Sequence, residues 1–260
     1  MRKQFQEMFA GLLFGLLLSG SALAQETRMA FGPGEQAHYR VKYLGVTAGS
    51  ARITVGAPMK QWGKQVWPLV ALAKSESVAG VWPIKDKFVS YWDFNTQRVL
   101  GSDRYENHNQ QRRRVRVKQS EDGRSALIIK QQEGEAPYEQ TRELLEGTLD
   151  LAGATFALRN RKLEPGQEHS FPIFTGSKQF ILKATVEAKE VVETQMGKQE
   201  AYRLRVYTDF SGKLKSKRDM NVWLTADERH LPVRLEAELV LGSLVAELTE
   251  YHQGRTVAMR

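Results

Sequence analysis

Hydrophobic and polar positions alternate with period two along most of this chain. Ala37, Tyr39, Val41 and Tyr43 are separated by His38, Arg40 and Lys42, and Ala51, Ile53 and Val55 by Arg52 and Thr54. Side chains two residues apart share one face of an extended strand. Each run therefore reads as a strand with one apolar and one polar face, and the break LGVTAG between the runs predicts a hairpin. Val66–Ser75 begins apolar on both faces and reads as a more fully buried strand. Lys87–Phe94 is aromatic-rich and strand-like. The second half repeats the pattern with Phe180, Leu182, Ala184 and Val186; Tyr202, Leu204 and Val206; Met220, Val222 and Leu224; Val233, Leu235, Ala237 and Leu239; and Leu244, Ala246 and Leu248. Alternation with one wet face is the mark of antiparallel sheet. The expected class is all-β, an antiparallel, strongly curved sheet closing into a barrel or half-barrel.

One segment departs from this period. In TLDLAGATFALRNR, Leu151, Thr155 and Leu158 recur at helical spacing with Ala152 and Phe156 beside them. Asp150 is placed to accept first-turn N–H groups, Arg159 and Arg161 suit the negative end of the dipole, and Pro165-Gly166 ends the run. This predicts one short helix over residues 151–160. It divides a single β-rich domain into halves of about 25–145 and 165–260. The final HQGRTVAMR reads as a loose tail.

The N-terminus changes the picture of where this sheet works. Arg2 and Lys3 precede the apolar run GLLFGLLLSGSA, and Ala22-Leu23-Ala24 supplies a small-x-small site before Gln25. That is the three-part pattern of a signal peptide, so residues 1–24 are expected to be cleaved after Ala24 and the remainder exported, most simply to the periplasm. The run is too short for a comfortable membrane span of about 20 residues, and the mature chain is expected to have no transmembrane segment. The sequence holds no cysteine, which removes disulfides, thiolate chemistry and a lipidated Cys. The formal charge is +8, and most of it survives removal of the signal. A basic exported protein can meet anionic lipid or glycan; nucleic acid is not an expected partner after export.

GEQAHYRVKYLGVTAGSARITV, then WPIKDKFVSYWD, then LEPG, then VWLTADERHLPVRLEAELVLGSLVAELTEY occur in that order. Together they resemble a bacterial exported family known as domain of unknown function 3108. The resemblance spans nearly all of the mature chain and rests most on YLGVTAGSA, Trp82–Asp86 and VWLTADERHLPVR. It implies a β-rich protein exported in Gram-negative bacteria and brings no reaction or catalytic residues. At fold level alone, the two-half pattern is also similar to the curved half-barrels of lipoprotein carriers.

Candidate chemistry is sparse. In RRRVRVKQ, Arg112, Arg114, Arg116 and Lys118 fall on one strand face, with Val115 and Val117 on the other. Such a row needs acidic cross-strand partners or an anionic ligand, and Glu133, Glu135, Glu139 and Glu143 follow closely enough to pair with it. Lys213, Lys215 and Lys217 make a second row. In AGVWPIKDKFVSYWD, Trp82, Tyr91 and Trp92 offer flat platforms for a sugar or acyl chain, beside Lys85 and Asp86; the alternative is a structural turn in which Asp86 caps backbone N–H groups or pairs with Lys85 or Arg52. No His pair has metal-ligand spacing, there is no nucleophile elbow, and no metal or other cofactor is expected. Asp86 with Asp93, or Asp103 with Glu106, are the carboxylate pairs a glycosidase would need. The leading expectation is a non-enzymatic binding or scaffolding protein of the envelope for an anionic or amphiphilic lipid, lipopolysaccharide or glycan fragment. Alternatives are a hydrolase of envelope glycan and a module that binds an envelope protein.

Overall fold

A computed structural model describes residues 29–75, 83–108, 111–209, 220–239 and 242–257. The signal segment, Trp82 and the Lys213–Lys217 row lie outside the described residues. The described chain forms fifteen strands and one helix: β1 (Gln36–Tyr43), β2 (Val46–Val55), β3 (Met59–Gln61), β4 (Lys64–Ser75), β5 (Lys85–Asp93), β6 (Arg98–His108), β7 (Gln111–Gln119), β8 (Ser125–Gln132), β9 (Tyr138–Glu143), α1 (Leu151–Arg159), β10 (Glu168–Phe174), β11 (Gln179–Thr194), β12 (Gly197–Asp209), β13 (Met220–Thr225), β14 (Pro232–Leu239) and β15 (Gly242–His252). The expected antiparallel β-class is the one observed.

All strands but β3 lie on one antiparallel path, β10-β11-β12-β13-β14-β15-β1-β2-β4-β5-β6-β7-β8-β9, and β3 pairs β4 alone. The halves of the sequence meet where β1 pairs β15, with Ala37 opposite Tyr251 and Tyr43 opposite Leu244. The sheet does not close, since β9 and β10 have no ladder between them. Among the described residues, Leu149 alone, between β9 and α1, bridges to the free edge of β10, donating to the Pro172 carbonyl at 2.9 Å and accepting from the Phe174 N–H at 2.9 Å. Apolar packing draws the two ends together: Phe174 of β10 shares a buried cluster with Val115, Val117 and Ile128.

Both strands of the β1–β2 hairpin are longer at the turn than alternation suggests. The turn is Leu44-Gly45 only, with φ of 51° and 80°, and Val46–Gly49 continues as strand. Two successive positive φ values match the right-handed twist of the paired strands.

The helix fills one end of the curved sheet. Asp150 caps it, accepting from the Gly153 N–H at 2.7 Å. Its buried residues are Gly153, Ala154, Phe156, Ala157, Leu158 and Arg159, while Leu151 is 48% exposed and Thr155 half-buried. The helix is the one the spacing predicts, and its buried face runs through Gly153, Phe156 and Ala157 rather than through Leu151. The sheet encloses α1 on the side of its small residues, and a Cβ on Gly153 would lie 2.4 Å from Val99.

Arg159 does more than its place in the helix predicts. It lies in the last turn of α1, as expected, but its guanidinium is buried and forks onto Glu35, 2.6 and 3.0 Å from the two carboxylate oxygens. It further donates to the carbonyls of Arg229 at 3.0 Å and Ala30 at 3.1 Å, and lies 5.4 and 5.1 Å from the rings of Phe31 and Phe156. The Tyr251 hydroxyl donates to the second Glu35 oxygen at 3.2 Å. The supposed loose tail is likewise held as far as Val257. Val257 accepts from the Met29 N–H at 3.1 Å, and Arg255 donates to Pro33 at 2.9 Å. Gly32 and Gly254 permit this approach, because a Cβ on Gly254 would sit 2.1 Å from the Gly32 carbonyl oxygen. Neither contact has a signature in local sequence pattern, since the partners are more than a hundred residues apart in the chain.

Glu35→Gln leaves a buried guanidinium without its counter-charge and is expected to cost about 3–5 kcal/mol in urea unfolding, whereas replacing both members with Leu and Met costs less than either single change. Asp150 gives a second prediction. Burial pushes its carboxyl up to about 6, against a smaller opposing effect of the Gly153 N–H. A pKa raised in the folded state means stability that is complete below about pH 4 and lost as pH rises through about 6. Asp150→Asn keeps the cap acceptor and removes the titration. Its stability relative to wild type should improve by on the order of 2–3 kcal/mol between pH 4 and 8; parallel pH profiles would contradict this.

Candidate functional site

The β7 row stands on the outer wall of the sheet, and its counter-charge comes from β6. Register places Asp103 opposite Arg116 and Tyr105 opposite Arg114. The buried Asp103 carboxylate accepts from Arg114 Nε and Arg116 Nε, each at 3.2 Å, and from the Tyr91 hydroxyl at 3.0 Å. Burial, and then the Asp103 charge, push the Tyr91 phenol up to about 12. Arg114 also stacks 4.8 Å from the Tyr105 ring centre. Of the glutamates expected to balance the row, Glu133 pairs with Arg112 at 3.6 Å; the other described balancing charge is Asp103, because a strand's neighbours are set by register rather than by nearness in sequence. Two guanidiniums on one carboxylate leave the wall cationic.

Lys118 lies 6.0 Å over the ring of Trp62. Trp62 sits at positive φ in the β3–β4 turn and meets Tyr91 edge to face at 5.1 Å. Gly101 makes room for it, since a Cβ there would lie 2.7 Å from the indole. An aromatic side chain in a left-handed turn position is uncommon, and here packing on the sheet accounts for it.

The residues expected around Trp82 divide between two faces. Lys85 and Tyr91 lie on the outer wall with the arginines. Asp86 and Trp92 lie on the inner one, as their partners Ala73 and Trp67 do. Trp92 is fully buried in the core, edge to face with Phe31 at 6.3 Å. Asp86 meets His108 Nε2 with both oxygens, at 2.8 and 2.9 Å, and accepts from the Asn107 N–H at 3.3 Å.

Pattern reading missed the mouth of the inner face. Near α1 the inward side chains Val55, Leu69, Val186, Leu204, Val233 and Leu248 are all buried. Further along the same strands, Ala71, Leu182, Val222, Leu235, Ala246 and Val41 still point inward by register yet are only half-buried. Burial along the inner face is therefore complete at the helix end and partial at the other, the open or hollow end. One sector of the hollow end is polar: Arg104 lies 5.5 Å over Phe88 and 3.6 Å from Glu106, and Arg113 is 3.9 Å from the same carboxylate. Among the described residues, no group of three His, Asp or Glu is arranged to hold a metal, and no helix is long and apolar enough to cross a membrane.

Residues 38–249 match the family described as "Protein of unknown function (DUF3108)". No curated protein matches the chain. Among solved structures, the chain superposes on a β-barrel-like protein of domain of unknown function DUF1849 from Brucella abortus, with a TM-score of 0.59 and 8% identity over 86% of this chain and 99% of that one. At that identity the likeness concerns fold alone. Weaker matches are a protein from Parabacteroides distasonis provisionally described as a lipoprotein (TM-score 0.35, 11% identity, 88% and 100% covered) and one from Bacteroides fragilis provisionally described as exported, with a YmcC-like fold (TM-score 0.31, 10% identity, 86% and 99% covered).

Asp103→Asn should bring the Tyr91 phenol down from about 12 toward its ordinary value near 10, because it removes a neighbouring negative charge and leaves two arginines beside the ring. NMR-detected titration of Tyr91 reads the shift. An unchanged phenol would show that Asp103 does not govern this wall.

Proposed function

The chain belongs to the DUF3108 family, whose description brings no reaction with it, and on that premise we propose a non-enzymatic binding protein of the Gram-negative envelope. Exported to the periplasm by residues 1–24, it takes the apolar part of an anionic amphiphile into the hollow end of its open sheet. The observation that carries this reading is the fall in burial along the inner face. Leu182, Val222, Leu235 and Ala246 are inward and apolar but lack the filling that α1 gives the other end. Apolar surface left open in a concavity is the ordinary form of a ligand site, and the ligand's burial would contribute about 25 cal/mol per Å². The polar sector with Arg104 and Arg113 is positioned to meet an anionic head.

Hydrolysis of envelope glycan through Asp86 is the second reading, and the Asp86–His108 contact favours it. Asp86→Asn separates the two: ligand retention with every phenotype intact removes the hydrolase.

Native mass spectrometry of protein isolated from a Gram-negative periplasm tests the leading reading. Wild type should carry a lipid-sized mass, and Leu235→Glu, which puts a charge in the mouth, should lose it while still unfolding cooperatively. Wild type free of any amphiphile, and unable to take up a fluorescent fatty acid, would contradict it.

A further inference from the structure

Outside the mouth, the outer wall gathers cations that form no ion pair among the described residues. Arg40, Arg52, Lys74, Lys85 and Lys87 are exposed or half-exposed on β1, β2, β4 and β5, and none has an ion pair with a described residue. Lys74 lies directly opposite Lys85 in the β4–β5 ladder, and Arg52, Leu72 and Lys87 form one cross-strand line. Like charges placed opposite one another in a ladder are unfavourable, so the arrangement costs stability unless an anion covers it. Arg52, Lys74, Lys85 and Lys87 line a hollow of about 550 Å³ in the wall. It adjoins a second hollow of about 420 Å³ through the shared Lys85 and Tyr105, which extends the cationic surface to Arg112 and Arg114. Asp86 and Glu250 line the first hollow, and Glu106 and the Arg112-bound Glu133 the second; His108 answers Asp86, and Arg104 and Arg113 answer Glu106, so the cations outnumber the acids.

An independent feature stands at the same end of the sheet. The β1–β2 turn projects Leu44, 55% exposed, and Val46, 53% exposed. Leu44 has φ of 51°, at a turn position where Asn, Asp or Gly is the ordinary choice and a branched apolar residue is costly. Trp62 occupies the same turn position in the β3–β4 hairpin and is covered by Tyr91 and Gly101; Leu44 touches the space over Gly242 yet stays mostly in solvent. A strained, exposed apolar tip beside a cationic wall is the composition of a surface that meets lipid headgroups, with the tip entering the acyl boundary and the cations facing phosphate.

We propose that this face docks the protein on an anionic lipid bilayer, with Leu44 and Val46 at the interface and the Lys74–Lys85 wall on the headgroups. In that orientation the hollow end of the sheet opens beside the membrane. The docking surface stands on different residues from the mouth and does not depend on the mouth taking a ligand.

Co-sedimentation of the mature chain with phosphatidylcholine vesicles, with and without phosphatidylglycerol, tests this. Wild type should sediment with phosphatidylglycerol vesicles only and be released by salt. Lys74→Glu with Lys85→Glu should weaken partitioning at least about tenfold. Leu44→Asn, which suits the turn backbone and removes the apolar tip, should weaken it several-fold without loss of stability. The control, Lys60→Glu with Lys198→Glu, makes the same charge change on β3 and at the start of β12 and should leave binding nearly intact. Equal loss in the control, or equal sedimentation with pure phosphatidylcholine, overturns the proposal. So does displacement by inorganic phosphate beyond what chloride of equal ionic strength achieves, which would indicate a discrete phosphate pocket. Fatty-acid binding measured without vesicles reads the mouth alone, so failure of either site is seen separately.

Discussion

The Glu35–Arg159 pair is the point through which the two ends of the chain, the helix and the sheet are joined. Glu35 precedes β1, Arg159 ends α1, Tyr251 belongs to β15, and the carbonyls of Ala30 and Arg229 complete the guanidinium's partners. Desolvating two charges is tolerated only where nearly every donor and acceptor is met, and here it is. The buried fork fixes the direction in which α1 enters the sheet, which packing of Phe156 against Phe31 at 4.5 Å alone would leave less specified.

That constraint makes one end of the molecule solid and leaves the other open. The helix spans about three turns, so it fills only part of the strand length, and the inward side chains beyond its reach lose neighbours strand by strand. The lack of a β9–β10 ladder has a similar origin. Leu149 must both lie against β10 and lead into the Asp150 cap, so it offers a single bridge and then turns into α1. Openness is thus built into the way the helix enters.

The architecture was legible because period-two alternation depends only on which face is wet. The helix was legible from Asp150 and the broken period. Alternation also placed Arg112, Arg114, Arg116 and Lys118 on one face, with Val115 and Val117 behind them. It could not supply Asp103 as the arginines' partner, because the pairing follows from the β6–β7 register, which depends on where the turn between those strands falls and not on the alternation within either. Lys85 and Asp86 are adjacent in sequence, which groups them as one site, yet pleating sends them to opposite walls. The buried pair was invisible for a further reason: Glu35 and Arg159 are each ordinary surface residues in composition, separated by more than a hundred positions.

The account rests on the difference between the filled and the hollow end of one inner face. Methyl-resolved NMR of Ile-, Leu- and Val-labelled protein, titrated with a single-chain alkyl phosphate, measures that difference directly. The account predicts shifts at Leu182, Val222, Leu235 and Leu244, with Val55, Val186 and Val233 unmoved. Perturbation confined to outer-wall methyls such as Leu72, or none at all, would contradict it.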